Sequence, residues 1–430
     1  MGSHQRKDLL ASIRGQTVVM PNMRPIFEKY TGEPNPNYRA LIPVVDRKLE
    51  SLEPNEKRLA KLKTADFALF ASHWWPHADF DQLRIVAYLA IWLFLWDDVL
   101  DEPTGEYADN FEAAQSYRKE TVQFLADTLG LSASKEMSIV VTYSPFKNFK
   151  GFGSRLKLML EIALGVSPSE KNSLKRFGFL AGLRTWGKQL GTAVKCRLRT
   201  KSPNRSPPTA SHPIIEGFRV IGDELRTAYT IEQRQNLFED LKFYIGTTET
   251  EQRFHLDGKL PTLKEYWEVR MGTSAVAACL AMIEFTNKIK GPYRSTNHPL
   301  LKALSDEANI IVIMQVNPQN SANDMLSLKK EIVQGCLDSL IPLSVSVCGG
   351  VQQAIDRAQT DLLAAVDRFD AEAEKILSGP NTTGFSDREL RIFVDGCRDC
   401  WVGNFNWSLC TGRYGLDAID QKGGSFNLSL

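Results

Sequence analysis

The run from Leu83 to Trp96, LRIVAYLAIWLFLW, is strongly apolar and ends abruptly in Asp97-Asp98-Val99-Leu100-Asp101-Glu102. A helix that is apolar nearly all round belongs inside a fold, and this one is too short to span a bilayer. Four acids in six positions at the end of such a helix are costly unless positive charge meets them there. On a helix Asp97 and Asp101 are four apart and share a face. Carboxylates converging at the mouth of an apolar helix suit hard divalent cations that keep some of their water, such as Mg²⁺. From this stretch alone, an ordinary acidic helix end before the turn at Pro103 reads equally well.

A second polar pattern lies far downstream, at Asn323-Asp324-Met325-Leu326-Ser327-Leu328-Lys329-Lys330-Glu331. Asn323, Ser327 and Glu331 recur every four residues and line one helix face. An amide oxygen, a hydroxyl and a carboxylate are three oxygen donors for one more hard cation. Lys330 returns to nearly the same side and can face an anion. The two motifs together resemble those of class I terpene synthases, DDxx(D/E) and (N/D)DxxSxxx(K)E, and the form NDxxSxxKE is similar to that of the fungal sesquiterpene cyclases.

Two further segments extend the resemblance. The string Glu265-Tyr-Trp-Glu-Val-Arg270-Met-Gly-Thr-Ser274 resembles the family segment that holds the diphosphate-sensing arginine. It implies Arg270 as sensor, with Thr273 and Ser274 at a helix break for which Gly272 offers a physical basis. Arg413-Tyr414, with Trp407 six residues before, matches the family's C-terminal pair. Arg413 and Tyr414 would donate hydrogen bonds to diphosphate oxygens, and Trp407 would offer a π face to a carbocation. Phe94, one turn before Asp97, is expected to point into the same space, while Trp92 and Trp96 read as core.

By this resemblance the fold is all-α, a class I terpenoid-synthase helical bundle around a central apolar cavity. Asp97, Asp98 and Asp101 would hold two Mg²⁺ ions, and Asn323, Ser327 and Glu331 a third, with Mn²⁺ as the alternative metal. Asp97 ranks first, then Asp101, with Asp98 behind them or paired with Arg413. The implied substrate is a prenyl diphosphate, farnesyl diphosphate for preference, cyclised to a sesquiterpene. A diterpene cyclase using geranylgeranyl diphosphate and an inactive helical homologue are the alternatives. No DxDD motif occurs and there is only one DDxxD, so protonation-initiated cyclisation and chain elongation are disfavoured.

The remaining sequence agrees with this frame. The chain has 430 residues, 43% of them hydrophobic, and a formal charge of +1, enough for one large core. Helix-period segments dominate and alternating runs are scarce. One domain over 1–430 is expected, with a polar lead-in over 1–60 and helical pattern from about Pro54. Residues 137–207 stand apart, with fourteen basic residues against two acidic, about +12, leaving the rest of the chain about −11. This segment reads as an insertion outside the catalytic core, or a gene-model artefact. Its aromatics form no nucleic-acid-binding module, so a nucleic-acid partner is not expected. The N-terminus lacks an apolar signal core and the seven cysteines are scattered, so a cytoplasmic monomer or homodimer with reduced thiols and no stable membrane insertion is expected. His73 and His77 are four apart, but Pro76 between them argues against one continuous helix and a metal role. Pro318 interrupts the helix that should run from Leu300 into Asn323.

Overall fold

The computed structural model describes residues 2–30, 32–101, 105–131, 138–141, 194–197, 209–290, 298–315, 328–411 and 424–430. In chain order the described helices begin with α1 (Gly2–Ile13), α2 (Arg24–Phe27), α3 (Tyr38–Leu52), α4 (Glu56–Lys63), α5 (Phe67–Trp74), α6 (Phe80–Asp101) and α7 (Phe111–Thr128). There follow α8 (Pro213–Glu216), α9 (Arg219–Ala228), α10 (Ile231–Leu256), α11 (Leu263–Thr273), α12 (Val276–Thr286) and α13 (Pro299–Gln315). The last are α14 (Leu328–Gln334), α15 (Leu340–Cys348), α16 (Val351–Ser378) and α17 (Asp387–Cys410). Sheet among the described residues is confined to two antiparallel ribbons, β1 (Thr17–Met20) with β4 (Phe426–Ser429) and β2 (Ser138–Val141) with β3 (Val194–Arg197). The molecule is all-α, as the periodicity predicts.

Helix α6 is the axis of the bundle and packs against α3, α5, α8, α9 and α12. Its start is fixed by a reciprocal cap. Gln82 N–H donates to Asp79 Oδ1 at 2.9 Å, and Asp79 N–H donates to Gln82 Oε1 at 3.3 Å. Helix α5 ends at Trp74, ahead of Pro76, so His73 and His77 do not share a helix. Along α6, Trp92 and Trp96 are fully buried and Phe94 is half-buried. The Trp96 indole lies on the Tyr117 ring at 5.5 Å and donates to Thr121 Oγ1 at 2.9 Å, so the ring is buried with its N–H satisfied.

Helices α10 and α16 run long and unbroken, and a Thr262–Glu265 capping box opens α11. Helices α14 and α15 are separated at Gly335, φ +76°. Two expectations are corrected. Residues 1–60 are not simply a lead-in, because α3 buries Leu41, Val45 and Leu49, a row at four-residue spacing, and packs on α5 and α6. The helix break after Arg270 follows Thr273, where it is expected, but its left-handed residue is Ala275, φ +56°, and Gly272 is not its cause. Gly272 continues α11 at the point where it approaches α10, and any Cβ there would strike Thr247.

Residues Leu263–Thr286, spanning α11 and α12, form a stretch long and apolar enough to cross a membrane, but most of it is buried inside the bundle. Cys397 and Cys400 are buried one turn apart on α17, and burial raises both thiols.

Helix α17 comes so close to α5 that a Cβ on Gly403 would meet the backbone of His73 and Trp74. Backbone cannot give way as a side-chain tip can. Gly403→Ala is expected to destabilise the protein by about 1–3 kcal/mol, read from the shift of the urea midpoint at unchanged slope. A midpoint equal to wild type would contradict this packing.

Candidate active site

At its C-terminal end α6 delivers Asp97 and Asp101 to one face, and α10 brings a third carboxylate, Glu251, opposite them. Glu251 lies seven residues after Tyr244, so the two share a face of α10. Tyr244 is buried, and its hydroxyl lies 3.2 Å from both Asp97 Oδ1 and the Leu93 carbonyl, sharing its proton between them. Burial, then the charges of Glu251 and Asp98, push Asp97 up to about 8. Burial, then Asp97 and Glu251, hold Asp101 well above the usual carboxylate range. Burial raises Glu251 to about 7, against the opposing pull of Arg270. The shared cause is a wall of carboxylates drawn together out of water without enough positive charge.

Two buried arginines flank this wall. Arg118, on α7, is 4% exposed and fully engaged. It donates to Thr248 Oγ1 at 3.0 Å, the Thr248 carbonyl at 3.1 Å and Gln252 Oε1 at 2.8 Å. Gln252 in turn donates to the carbonyls of Tyr107 and Ala108, at 2.7 and 3.0 Å, tying down the loop that follows the acidic motif. Arg270, on α11, is 6% exposed and donates through Nη1 to Thr273 Oγ1 at 3.2 Å, whereas its buried Nε and Nη2 have no partner among the described residues. Unpaired buried donors of a cation are costly. Arg270 lies within Coulombic reach of Asp97 and Glu251 in the acid wall.

Carboxylate oxygens of this kind are ligands for hard divalent cations, although among the described residues no group of three His, Cys, Asp or Glu side chains gathers closely enough to hold an ion alone.

Asp98 turns away from the wall toward Arg58 on α4, at 3.9 Å. Arg58 also pairs with Glu53 at 3.1 Å. Lys330 and Glu331 lie on α14, with their side chains outside the described residues, as are Asn323, Ser327, Arg413 and Tyr414 altogether. Phe94 and Trp407 belong to one aromatic cluster. Phe94 meets Phe67 and Phe70 edge-on at 5.1 and 5.9 Å. Trp407 is fully buried behind them, 6.3 Å from Phe94, and its N–H donates to the Ala65 carbonyl at 2.8 Å. Sequence reasoning missed Glu251, Tyr244 and Arg118. The only available signal was the polar row Tyr244-Thr248-Glu251-Gln252 on one side of a long helix, which also reads as an ordinary solvated face.

Residues 188–368 match the family model described as terpene synthase family 2, C-terminal metal binding. The chain is 29% identical over 413 residues to the sesquiterpene cyclase hepA of Aspergillus oryzae, covering 96% of this chain and 92% of that protein. Over most of its length the chain is similar to class I terpene synthases. It is also 24% identical to terpene cyclase 4 of Gibberella fujikuroi, over 91% of this chain and 84% of the relative. Among solved structures, an α-eudesmol synthase superposes with a TM-score of 0.62 at 15% identity, covering 89% of this chain and 98% of that one. Germacradien-4-ol synthase from Streptomyces citricolor does so at 0.57 and 15%, covering 88% and 98%. These likenesses establish the class I terpenoid-synthase fold. The family match opens at residue 188, inside the basic segment.

The raised carboxylates set a pH dependence for this protein. An acid whose folded pKa lies above its unfolded value, here about 8 against 3.8 for Asp97, contributes stability below the lower value. That contribution is lost as pH rises through the upper one. Metal-free protein should therefore lose stability between about pH 4 and pH 8. Asp97→Asn should flatten that slope and be the more stable at pH 9, by on the order of 2 kcal/mol. Thermal melts in chelator check this, and a wild-type slope in the variant contradicts it.

Proposed function

We propose that this chain is a Mg²⁺-dependent sesquiterpene cyclase that ionises farnesyl diphosphate, cyclises the resulting cation and releases diphosphate. The observation that carries this reading is the carboxylate wall of Asp97, Asp101 and Glu251 beside the unpartnered guanidinium of Arg270. The names of the relatives support the carbon skeleton.

In this reading Asp97 and Asp101 bind metal on one wall, with Asp98 in support, and Asn323, Ser327 and Glu331 bind it on the other. Bound Mg²⁺ supplies Lewis-acid stabilisation of the departing diphosphate. Arg270, Lys330, Arg413 and Tyr414 bind its oxygens and stabilise charge that grows as the bond breaks. The allylic C–O bond breaks heterolytically and the electron pair leaves with diphosphate. The cation closes on a distal double bond, then loses a proton or takes up water. Phe94, the least buried ring of its cluster, meets the cation with a π face, and Trp407 backs it. Exclusion of water by the surrounding apolar bundle prevents early quenching.

The chain forms one catalytic domain in this reading, and residues 137–207 are an excursion from it. The pairing of β2 with β3, Val141 opposite Val194, supports this because the two ends of the segment return to each other.

Purified protein, with and without 137–207, should release diphosphate from farnesyl diphosphate only when Mg²⁺ is present. Absence of release from both forms would sink the cyclase reading. Arg270→Ala should lower kcat by about 10²–10³. Phe94→Ala should raise the share of acyclic alcohols in the product mass spectrum, and an unchanged product pattern would remove Phe94 from the cation's path.

A further inference from the structure

Helix α1 and the residue after it place Arg6, Leu10 and Arg14 at four-residue intervals, a single face. Arg14 and Leu10 meet the end of α14, and Arg6 holds Asp338 just beyond it. Arg14 donates through Nε and Nη2 to the Ile332 carbonyl at 3.3 and 3.2 Å, and through Nη2 to the Val333 carbonyl at 3.3 Å. Both carbonyls belong to the last turn of α14, where Ile332 also accepts from Gly335 N–H at 3.3 Å, and a cation there meets the negative end of the helix dipole. Leu10 lies against Gly335, the left-handed residue that ends α14. Arg6 pairs with Asp338 at 2.6 Å and also donates to the carbonyls of Gly258 and Lys259, just past the end of α10. Asp338 is within Coulombic reach of Glu251 in the carboxylate wall.

The anchorage continues beyond α1. Gly15 N–H donates to the Leu430 carbonyl at 2.9 Å and Leu430 N–H to the Gln16 carbonyl at 3.0 Å. Strand β1 then pairs with β4, and Val19 exchanges two hydrogen bonds with Gln352 on α16. The strap is held at both ends independently of α14.

We infer that the N-terminal strap, through Arg14 and Arg6, positions the helix that ends the Asn323–Glu331 metal motif. Arg14 and Arg6 are positioning residues for diphosphate-metal binding on that wall. This rests on the cyclase reading above. A helix of seven residues is too short to hold its shape alone. Without Arg14 to cap it, α14 would fray where Glu331 must hold still.

The test uses the full chain with Arg14→Ala, Arg14→Lys and Arg6→Ala, and two readouts. Amide hydrogen exchange over 328–334 is followed with and without Mg²⁺ plus inorganic pyrophosphate, and the Mg²⁺ dependence of diphosphate release is measured. Arg14→Ala should speed exchange in that segment about 10-fold and raise half-saturating Mg²⁺ by a similar factor, with kcat at saturating Mg²⁺ changed far less. Arg14→Lys should recover most of both effects. Wild-type exchange over 328–334 and wild-type Mg²⁺ dependence in Arg14→Ala overturn the inference, as does a lower melting temperature with Mg²⁺ dependence intact. If Arg14→Ala does not fold, Arg6→Ala decides by the same readouts. A wild-type chain that releases no diphosphate defeats the cyclase reading instead, while the exchange measurement still judges the strap.

Discussion

Everything in this molecule depends on holding carboxylates out of water at the end of a helix that has nowhere to turn. Helix α6 is buried on nearly every side, so it cannot rotate to carry Asp97 and Asp101 into solvent. Glu251 approaches from α10 and adds to the repulsion. A fold that tolerates this arrangement stores a demand for positive charge, and the demand is local. Metal-free protein meets it in part by keeping protons on the acids. The class I terpene synthase chemistry proposed above meets it with metal and with the cationic groups that accompany a diphosphate.

The two buried arginines show how the fold separates support from reception. Arg118 uses its guanidinium on Thr248 and Gln252, and Gln252 passes the constraint to the Tyr107–Ala108 backbone. It adds positive charge behind the wall without occupying a carboxylate lone pair. Arg270 has the same burial but keeps two donor nitrogens without partners among the described residues. A fully satisfied network rigidifies, whereas in the proposed reading the unsatisfied cation takes the diphosphate. Aromatic packing adds the apolar side of the site. Trp407 is locked by its bond to Ala65, so Phe94 has a rigid backing.

Much of the helical framework was legible because its signals are local. Capping boxes at Thr230, Thr262 and Ser386 mark three helix starts, each a Ser or Thr followed three residues on by Glu or Gln. Helix α3 was passed over because Pro34 to Asn37 drew attention to turns, although Leu41, Val45 and Leu49 carry a helical period. Gly272 was assigned to the helix break because glycine permits one. Its actual constraint, the contact with Thr247, comes from a neighbouring helix and leaves no local trace. Glu251 was missed for the same reason, since an acid on a long helix reads as solvated until another element covers it.

The sequence by itself determined an all-α chain, the pairing of an acidic motif with an Asn-Ser-Glu motif, and the family these motifs resemble. Such features follow from periodicity and spacing along one chain. Only the tertiary structure decided that Glu251 faces Asp97 and Asp101, that Arg118 is satisfied where Arg270 is not, and that the N-terminal helix caps α14 through Arg14. Each is a meeting of side chains more than a hundred residues apart in sequence, or of helices whose faces look alike until packed. The burial that turns an exposed carboxylate into one with a pKa near 8 is a property of neighbours.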